Sequence, residues 1–230
     1  PAVRQLAVGA PSPIPGSAAL LVRHLTEGRL RASIIHGVAN NPFTDGGREI
    51  FDCAGQGRID VFFLGGVQID GEANVNLVGT GEYPTVDKRF PGSFGSAYMY
   101  FVVPKVILFR PEHTRRVFVP KVDFISAPGT SEPDVYRPGG PKALVTELCL
   151  MSFDPARKRF TLESVHPGHT LEEVRDNTGF DFDIPDIVPV TPEPEPDRLG
   201  LLRSQIGEQI AEIYPDFVAR VFESKQEDAA

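Results

Sequence analysis

The chain has 230 residues, 41% hydrophobic and 23% charged, an ordinary globular composition with enough apolar side chain to close a core. A formal charge of -8 argues against a general polyanion binder, because nucleic-acid proteins carry a basic excess. No apolar run approaches the roughly 20 residues that span a bilayer, and Pro1 to Gly16 lacks a charged region followed by an apolar one. Two cysteines and five scattered histidines offer neither a disulfide framework nor metal-ligand spacing. The expectation is a cytoplasmic protein with no metal, no nucleic acid and no membrane partner.

Gln5 to Gly9 reads as a strand, Ala10 to Gly16 as a proline-bearing loop, and Ser17 to Glu27 as a helix with Ser17 as N-cap. Arg31 to Gly37 is a second strand, Asp45 to Gln56 a short helix, and Ile59 to Leu64 an apolar strand closed by Gly65 and Gly66. This alternation indicates βαβ units and a parallel sheet covered on both faces. From Ser96 the texture changes to apolar runs at Tyr98 to Val103, Lys105 to Phe109, Arg116 to Ile125 and Ala143 to Phe153, so that strands outnumber helices. Leu144 to Phe153 and Arg159 to Ser164 read as a hairpin about Asp154-Pro155. The fold class is therefore α/β: an open, mostly parallel sheet with flanking helices and additional antiparallel strands.

Thr170-Leu-Glu-Glu173 is a capping box that opens a helix to Asn177, with Gly179 where a helix end favours positive φ. Residues 184–197 are proline-rich and acidic, an extended strap leading to C-terminal helices in 198–230, at Arg198 to Ile206 and Pro215 to Glu223. The whole of 1–230 reads as one domain.

In an open α/β sheet ligands bind beyond the carboxyl ends of the strands, which directs attention to three segments. Gly65 to Asn76 ends a buried strand and carries Gln68, Asp70, Asn74 and Asn76, side chains that either meet a ligand or cap their own turn. Phe90 to Ala97 is a glycine and serine loop whose Gly92 and Gly95 let backbone N–H groups converge on an anion, or serve as a plain connector. Ser33 to Gly37 delivers His36 to the same edge, in a structural role or as a group that moves a proton near neutrality. Arg110, His113, Arg115 and Arg116 form a basic cluster that reads as a solvated, ion-paired face, with attraction of a cofactor's phosphates as the other possibility.

Gln68-Ile-Asp70 followed by Asn74-Val-Asn76 resembles the Q-[IV]-D-x-x-G-N-[IV]-N signature of glutaconate CoA-transferase β subunits, within the family I CoA-transferases. The glycine loop after Arg89-Phe90, the run Arg115 to Gly129 and Asn177 to Asp181 are similar to that family in the same order. The resemblance implies a CoA-transferase-like subunit that pairs with an α subunit as an α2β2 assembly around a shared site. It also implies an acyl-CoA thioester, with coenzyme A as substrate and no permanently bound cofactor. In such transferases a β-subunit glutamate attacks the thioester, splitting one hard step into two. The glycine loop, carried over to Gly95, gives backbone donors to the oxyanion, flanked here by Gly92, Phe94 and Ser96. Gly65, Gly66, Gln68, Asp70, Asn74 and Asn76 fall in the segment that would bind substrate and coenzyme A.

The chain departs from the pattern at His36, where the nucleophilic glutamate is due, at Ala73, which takes the glycine position of the asparagine motif, and at Phe94, which replaces a small residue. Glu49 falls on the following helix, where it serves structure. Similar folds include CoA-thioester hydrolases in which the partner subunit furnishes the glutamate. A subunit that completes the site without chemistry of its own is the remaining alternative.

Overall fold

A computed structural model describes residues 2–9 and 12–223 of the chain. The first half alternates as expected: β1 (Gln5–Val8), α1 (Pro13–Leu25), β2 (Arg31–Ile34), α2 (Gly46–Gly55) and β3 (Val61–Leu64). Short ladders follow, with β4 (Gln68–Ile69) on β5 (Val75–Asn76) and β6 (Gly79–Thr80) on β7 (Lys88–Arg89). Then come α3 (Ser96–Val102), β8 (Lys105–Arg110), β9 (Pro141–Thr146), β10 (Cys149–Asp154), β11 (Arg159–Val165) and α4 (Leu171–Asn177). The C-terminal part holds α5 (Pro196–Leu201), α6 (Gly207–Ala211) and α7 (Pro215–Val218), with π-helical turns at Leu202–Ile206 and Ala219–Glu223.

One seven-stranded sheet runs in the order β11-β10-β9-β8-β3-β1-β2. The strands from β2 to β9 are parallel, and β10 and β11 add antiparallel pairs at the far edge. Alternation along the strands feeds two cores. Leu6, Val8 and Val61 meet Ala19 and Leu20 of α1 and Ile206 and Ile210 on one face. Phe62, Leu64, Val106 and Leu108 meet Ile50, Met99 and Tyr100 of α2 and α3 on the other. This is why the parallel strands read as continuous apolar runs.

Several boundaries differ from the sequence reading. α1 starts four residues before Ser17, because Pro13 and Pro15 sit in its first turn, where a missing N–H costs nothing. Ser17 is thus inside the helix, its hydroxyl donating to Pro13 O at 2.9 Å. Of the expected loop, residues 10 and 11 lie outside the described residues.

Tyr98 to Val103 is largely helix, not strand. Met99, Tyr100 and Val103 share one buried face, a distinction that a run of six apolar residues hides. Arg116 to Ile125 forms no strand, since Pro120 breaks it; Val117 and Phe118 are buried while Phe118 makes a single bridge to Ile69. Ala143 to Phe153 is two strands, because the Thr146 hydroxyl accepts from Leu148 N and Cys149 N at 3.1 Å and turns the chain.

Thr170 caps α4 as expected, accepting from Glu173 N at 3.1 Å. Gly179, however, has no positive φ: its lack of a Cβ lets the backbone lie against Phe118 O, to which its N–H donates at 2.7 Å. The strap follows β11, with Val165 N donating to Pro189 O and Thr191 N to Val165 O. Residues 224–230, the end of the expected helical segment, lie outside the described residues.

Candidate functional site

The parallel strands β1, β2, β3 and β8 end on one edge, and beyond it lies a cavity of about 740 Å³. Gly9, Ile35 and His36, Gly65 and Gly66, and Arg110 reach it from those four strand ends, and Gly92 to Ser96 close it from the loop before α3. Most of its wall is apolar, with Phe43, Phe51, Phe62, Phe63 and Phe109 among the lining residues.

β2 stops at Ile34 because the next residues leave the extended region. His36 has φ 78°, a left-handed conformation that a histidine adopts at a cost of about 1 kcal/mol or more. The turn is fixed from outside: Glu212 accepts from Val38 N at 2.6 Å and Ala39 N at 3.3 Å. Gly37 fits tightly against Ile213 of the same C-terminal segment. The imidazole is thereby left exposed at the cavity wall. Nothing in the local sequence around His36 points to Glu212, which is distant in the chain.

Gly65 and Gly66 end β3 where a Cβ at Gly65 would lie 3.1 Å from Phe109 O and one at Gly66 2.7 Å from Val75 Cγ1. Beyond them, four of the expected ligand-binding side chains turn inward. Gln68 Oε1 accepts from Asn76 Nδ2 at 2.7 Å and Asp123 N at 3.0 Å, and Gln68 Nε2 donates to Asp123. Asn76 Nδ2 also donates to Gly79 O, and its Oδ1 accepts from Val78 N and Gly79 N. Asp70 accepts from Glu72 N, Asn74 N and Asn74 Nδ2, while Asn74 Oδ1 accepts from Gly129 N. Gln68, Asp70 and Asn76 are buried, and none of the four lines the cavity. In this structure these groups pair with the chain itself, as a buried polar atom left unpaired is expensive.

The glycine loop is built differently. Gly92 has φ 100° and Phe94 φ 43°, and Ser96 N donates to Ser93 O at 2.7 Å, so the chain turns sharply into α3. Phe94 is 90% exposed, with its ring 5.5 Å from that of Phe51. Gly95 sits where any Cβ would enter the Phe51 ring, which brings its backbone down onto the cavity floor.

Arg110 separates from the basic cluster in which the sequence places it. The basic cluster does form ion pairs, with Glu112 meeting Arg110 at 3.1 Å and Arg116 at 2.6 Å, but Arg110 ends β8 and also lines the cavity. Its Nε is buried without a hydrogen-bond partner. His113 belongs elsewhere, buried between the hydroxyls of Thr146 at 2.8 Å and Thr178 at 2.9 Å. Burial pushes its pKa down to about 4, against a smaller opposing pull from Glu173. Glu49 does not line the cavity: its carboxylate accepts from Thr44 N and Asp45 N at the start of α2, contacts that hold its pKa below the usual carboxylate value.

Among the described residues, the cavity wall therefore contains one guanidinium, one imidazole and no aspartate or glutamate. No cluster of three His, Cys, Asp or Glu side chains able to hold a metal occurs among those residues, and no helix there is long and apolar enough to cross a membrane.

The coenzyme A transferase family profile matches residues 9–177. The chain is similar to the β subunit of 3-oxoadipate CoA-transferase from Pseudomonas knackmussii, 35% identical over 154 residues, covering 64% of this chain and 59% of that protein. It is 33% identical to the β subunit of glutaconate CoA-transferase from Acidaminococcus fermentans over 153 residues, 64% of this chain and 56% of the relative. The matches thus span less than two thirds of those relatives' own lengths. Among solved structures, IpdAB of Rhodococcus jostii superposes with a TM-score of 0.77 at 27% identity, covering 87% of this chain and 86% of that one. The chain belongs to the coenzyme A transferase family.

Proposed function

We propose that this chain is the β-type subunit of a heteromeric enzyme acting on an acyl-CoA thioester, and that the carboxylate required for the chemistry comes from an α-type partner. The observation that carries this reading is the cavity wall: hydrogen-bond donors and apolar surface at the carboxyl edge of the sheet, with no carboxylate. A partner's glutamate entering that space would meet complementary chemistry, and desolvation by the phenylalanines would strengthen its interaction with Arg110.

In this reading the acyl thioester lies in the cavity with its carbonyl oxygen toward the Gly95 backbone, whose N–H stabilises the tetrahedral oxyanion. His36 orients water or substrate, and Arg110 holds a negatively charged group through the Nε–H that lacks a partner, its Nη2 being paired with Glu112. Attack by the partner's carboxylate expels the coenzyme A thiolate and leaves a mixed anhydride, the entry to transfer. Activation of water by the same carboxylate expels the thiolate and leaves a free acid, which is hydrolysis. A cavity wall without its own carboxylate is compatible with both.

The test is co-expression with the partner subunit and incubation with a panel of acyl-CoAs, with and without an acceptor carboxylate. Coenzyme A freed without acceptor identifies hydrolysis, and acceptor-dependent exchange identifies transfer. Arg110→Ala is expected to lower kcat/KM by about tenfold to a hundredfold, the loss of one charge-assisted contact. His36→Ala with unchanged turnover removes His36 from the mechanism. Turnover that persists when every partner carboxylate near the site is replaced overturns the partner-supplied carboxylate.

A further inference from the structure

A second cleft, of about 600 Å³, lies beside the outer strand β2 and shares with the cavity only Asn41 and Phe43. Three arginines line it: Arg23 from the last turn of α1, Arg31 from the start of β2 and Arg58 after α2. On a chain of net charge -8 such a grouping ordinarily neutralises itself with carboxylates. Here, among the described residues, none of the three guanidinium groups forms an ion pair. Among those residues Arg23 binds neutral amides, Asn40 Oδ1 at 2.6 Å and Gln209 Oε1 at 2.7 Å, and Arg58 meets Gln56 Oε1 at 3.3 Å. Of the two carboxylates in the wall, Glu49 is occupied by the backbone N–H groups of Thr44 and Asp45, which leaves Asp52 against three positive charges.

An independent observation points the same way. Asn40 also lines the cleft and is 6% exposed, and its Nδ2 is buried with no hydrogen-bond partner. The amide cannot rotate to hide the defect, because Oδ1 is held by Arg23. A buried donor kept unpaired beside unneutralised guanidinium groups is short of an acceptor.

We propose that the cleft walled by Arg23, Arg31, Arg58 and Asn40 binds a phosphate-bearing ligand, at a site separate from the acyl cavity. Phosphate supplies several acceptor oxygens on one centre and suits the planar fork of arginine. The wall formed by Asn41 and Phe43 would carry any adjustment from this cleft to the cavity. A phosphate cleft and a thioester cavity can each stand without the other, so failure of one leaves the other in place. Two sources share the required chemistry, the phosphates of coenzyme A itself and a separate phosphorylated compound.

The experiment is calorimetric titration of the full chain with sodium pyrophosphate at fixed ionic strength, followed by coenzyme A and by pantetheine, which lacks phosphates. Saturable pyrophosphate binding is expected in the wild type. Binding should weaken about tenfold or more in Arg31→Gln/Arg58→Gln and be lost in Asn40→Asp, which replaces the orphan donor by a repelling oxygen. Arg116→Gln, a change to an exposed arginine already paired with Glu112, is the control that keeps wild-type affinity. If coenzyme A weakens in parallel with pyrophosphate, its own phosphates are the source; if it binds the double variant undiminished, the cleft takes a separate compound. No saturable binding of pyrophosphate to the wild type, or equal binding to the double variant, overturns the proposal.

Discussion

Two segments at the carboxyl edge of the sheet look alike in sequence, both rich in glycine and small polar residues, yet they are built to opposite ends. In Gln68 to Asn76 the side chains of Gln68, Asp70, Asn74 and Asn76 are closed on one another and on neighbouring backbone. In Gly92 to Ser96, and in the turn at His36, residues without glycine's freedom are held at positive φ and face the cavity. Positive φ alone does not separate them, since Ala73 in the first segment has φ 60° and is buried; the difference is that the polar side chains of the first pair inside the chain, whereas His36 and Phe94 lie at the cavity wall. A motif can thus identify a family through residues that pair in its interior, while a cavity nearby is walled by residues the motif does not contain.

The largest effect that would break this contrast is expected at Asn76, whose side chain is fully buried and makes four bonds. Asn76→Ala strands Gly79 O and the N–H groups of Val78 and Gly79, and a loss of roughly 3 kcal/mol in urea unfolding is the expected result. Kinetic constants of the folded fraction should stay near wild type. A raised KM at undiminished stability would return Asn76 to the binding site and abolish the distinction between the two segments.

The two histidines sharpen the same contrast. His113 is enclosed by Thr146 and Thr178 and stays neutral in the folded chain to about pH 4, because burial disfavours its charge. The unfolded chain takes up that proton near pH 6.5. Above pH 6.5 the group contributes no pH dependence; between there and about pH 4 the unfolded state alone gains a proton, and stability is lost, on the order of 3 kcal/mol in total. His166, whose pKa is also lowered by burial, adds a loss of the same sign. Carboxylates such as Glu112 and Asp183, held low by their arginines, contribute only at more acid pH. Unfolding free energies measured from pH 7.5 to 5 should therefore fall with pH in the wild type and more gently in His113→Gln. Identical slopes would mean that His113 is charged in the fold.

Much of this organisation was legible in the sequence. Continuous apolar strands separated by helices announced the parallel sheet, and the glycines after β3 announced the edge at which the cavity lies. Where local pattern failed, distant contacts decided. Tyr98 to Val103 is too short for its period to tell helix from strand, and only the packing of Met99 and Tyr100 under the sheet settles it. Arg110 reads as one of four basic residues between 110 and 116, and its separation from them depends on where β8 ends in the sheet. The inward turn of Gln68 is fixed by Asp123, 55 residues beyond it in the chain. Sequence placed these residues beyond the carboxyl ends of the strands; it could not say which way each one faces.

The smallest predicted effect is also the most diagnostic, because it changes sign with the substitution. At φ 78° His36 is held where glycine is at ease and alanine is worse than histidine, which is tolerated there more often than most residues. His36→Gly should stabilise the chain by a few tenths to about 1 kcal/mol, after allowance for glycine's freer unfolded state, and His36→Ala should destabilise it slightly. If the imidazole serves the site, turnover should nevertheless fall by a similar factor in both variants, since both lack it. Loss of stability in both would show that the side chain supports the fold, and the strain at the end of β2 would need another explanation. Stability that rises in one variant and falls in the other, with activity reduced alike, would separate the backbone's preference from the side chain's purpose at a single position.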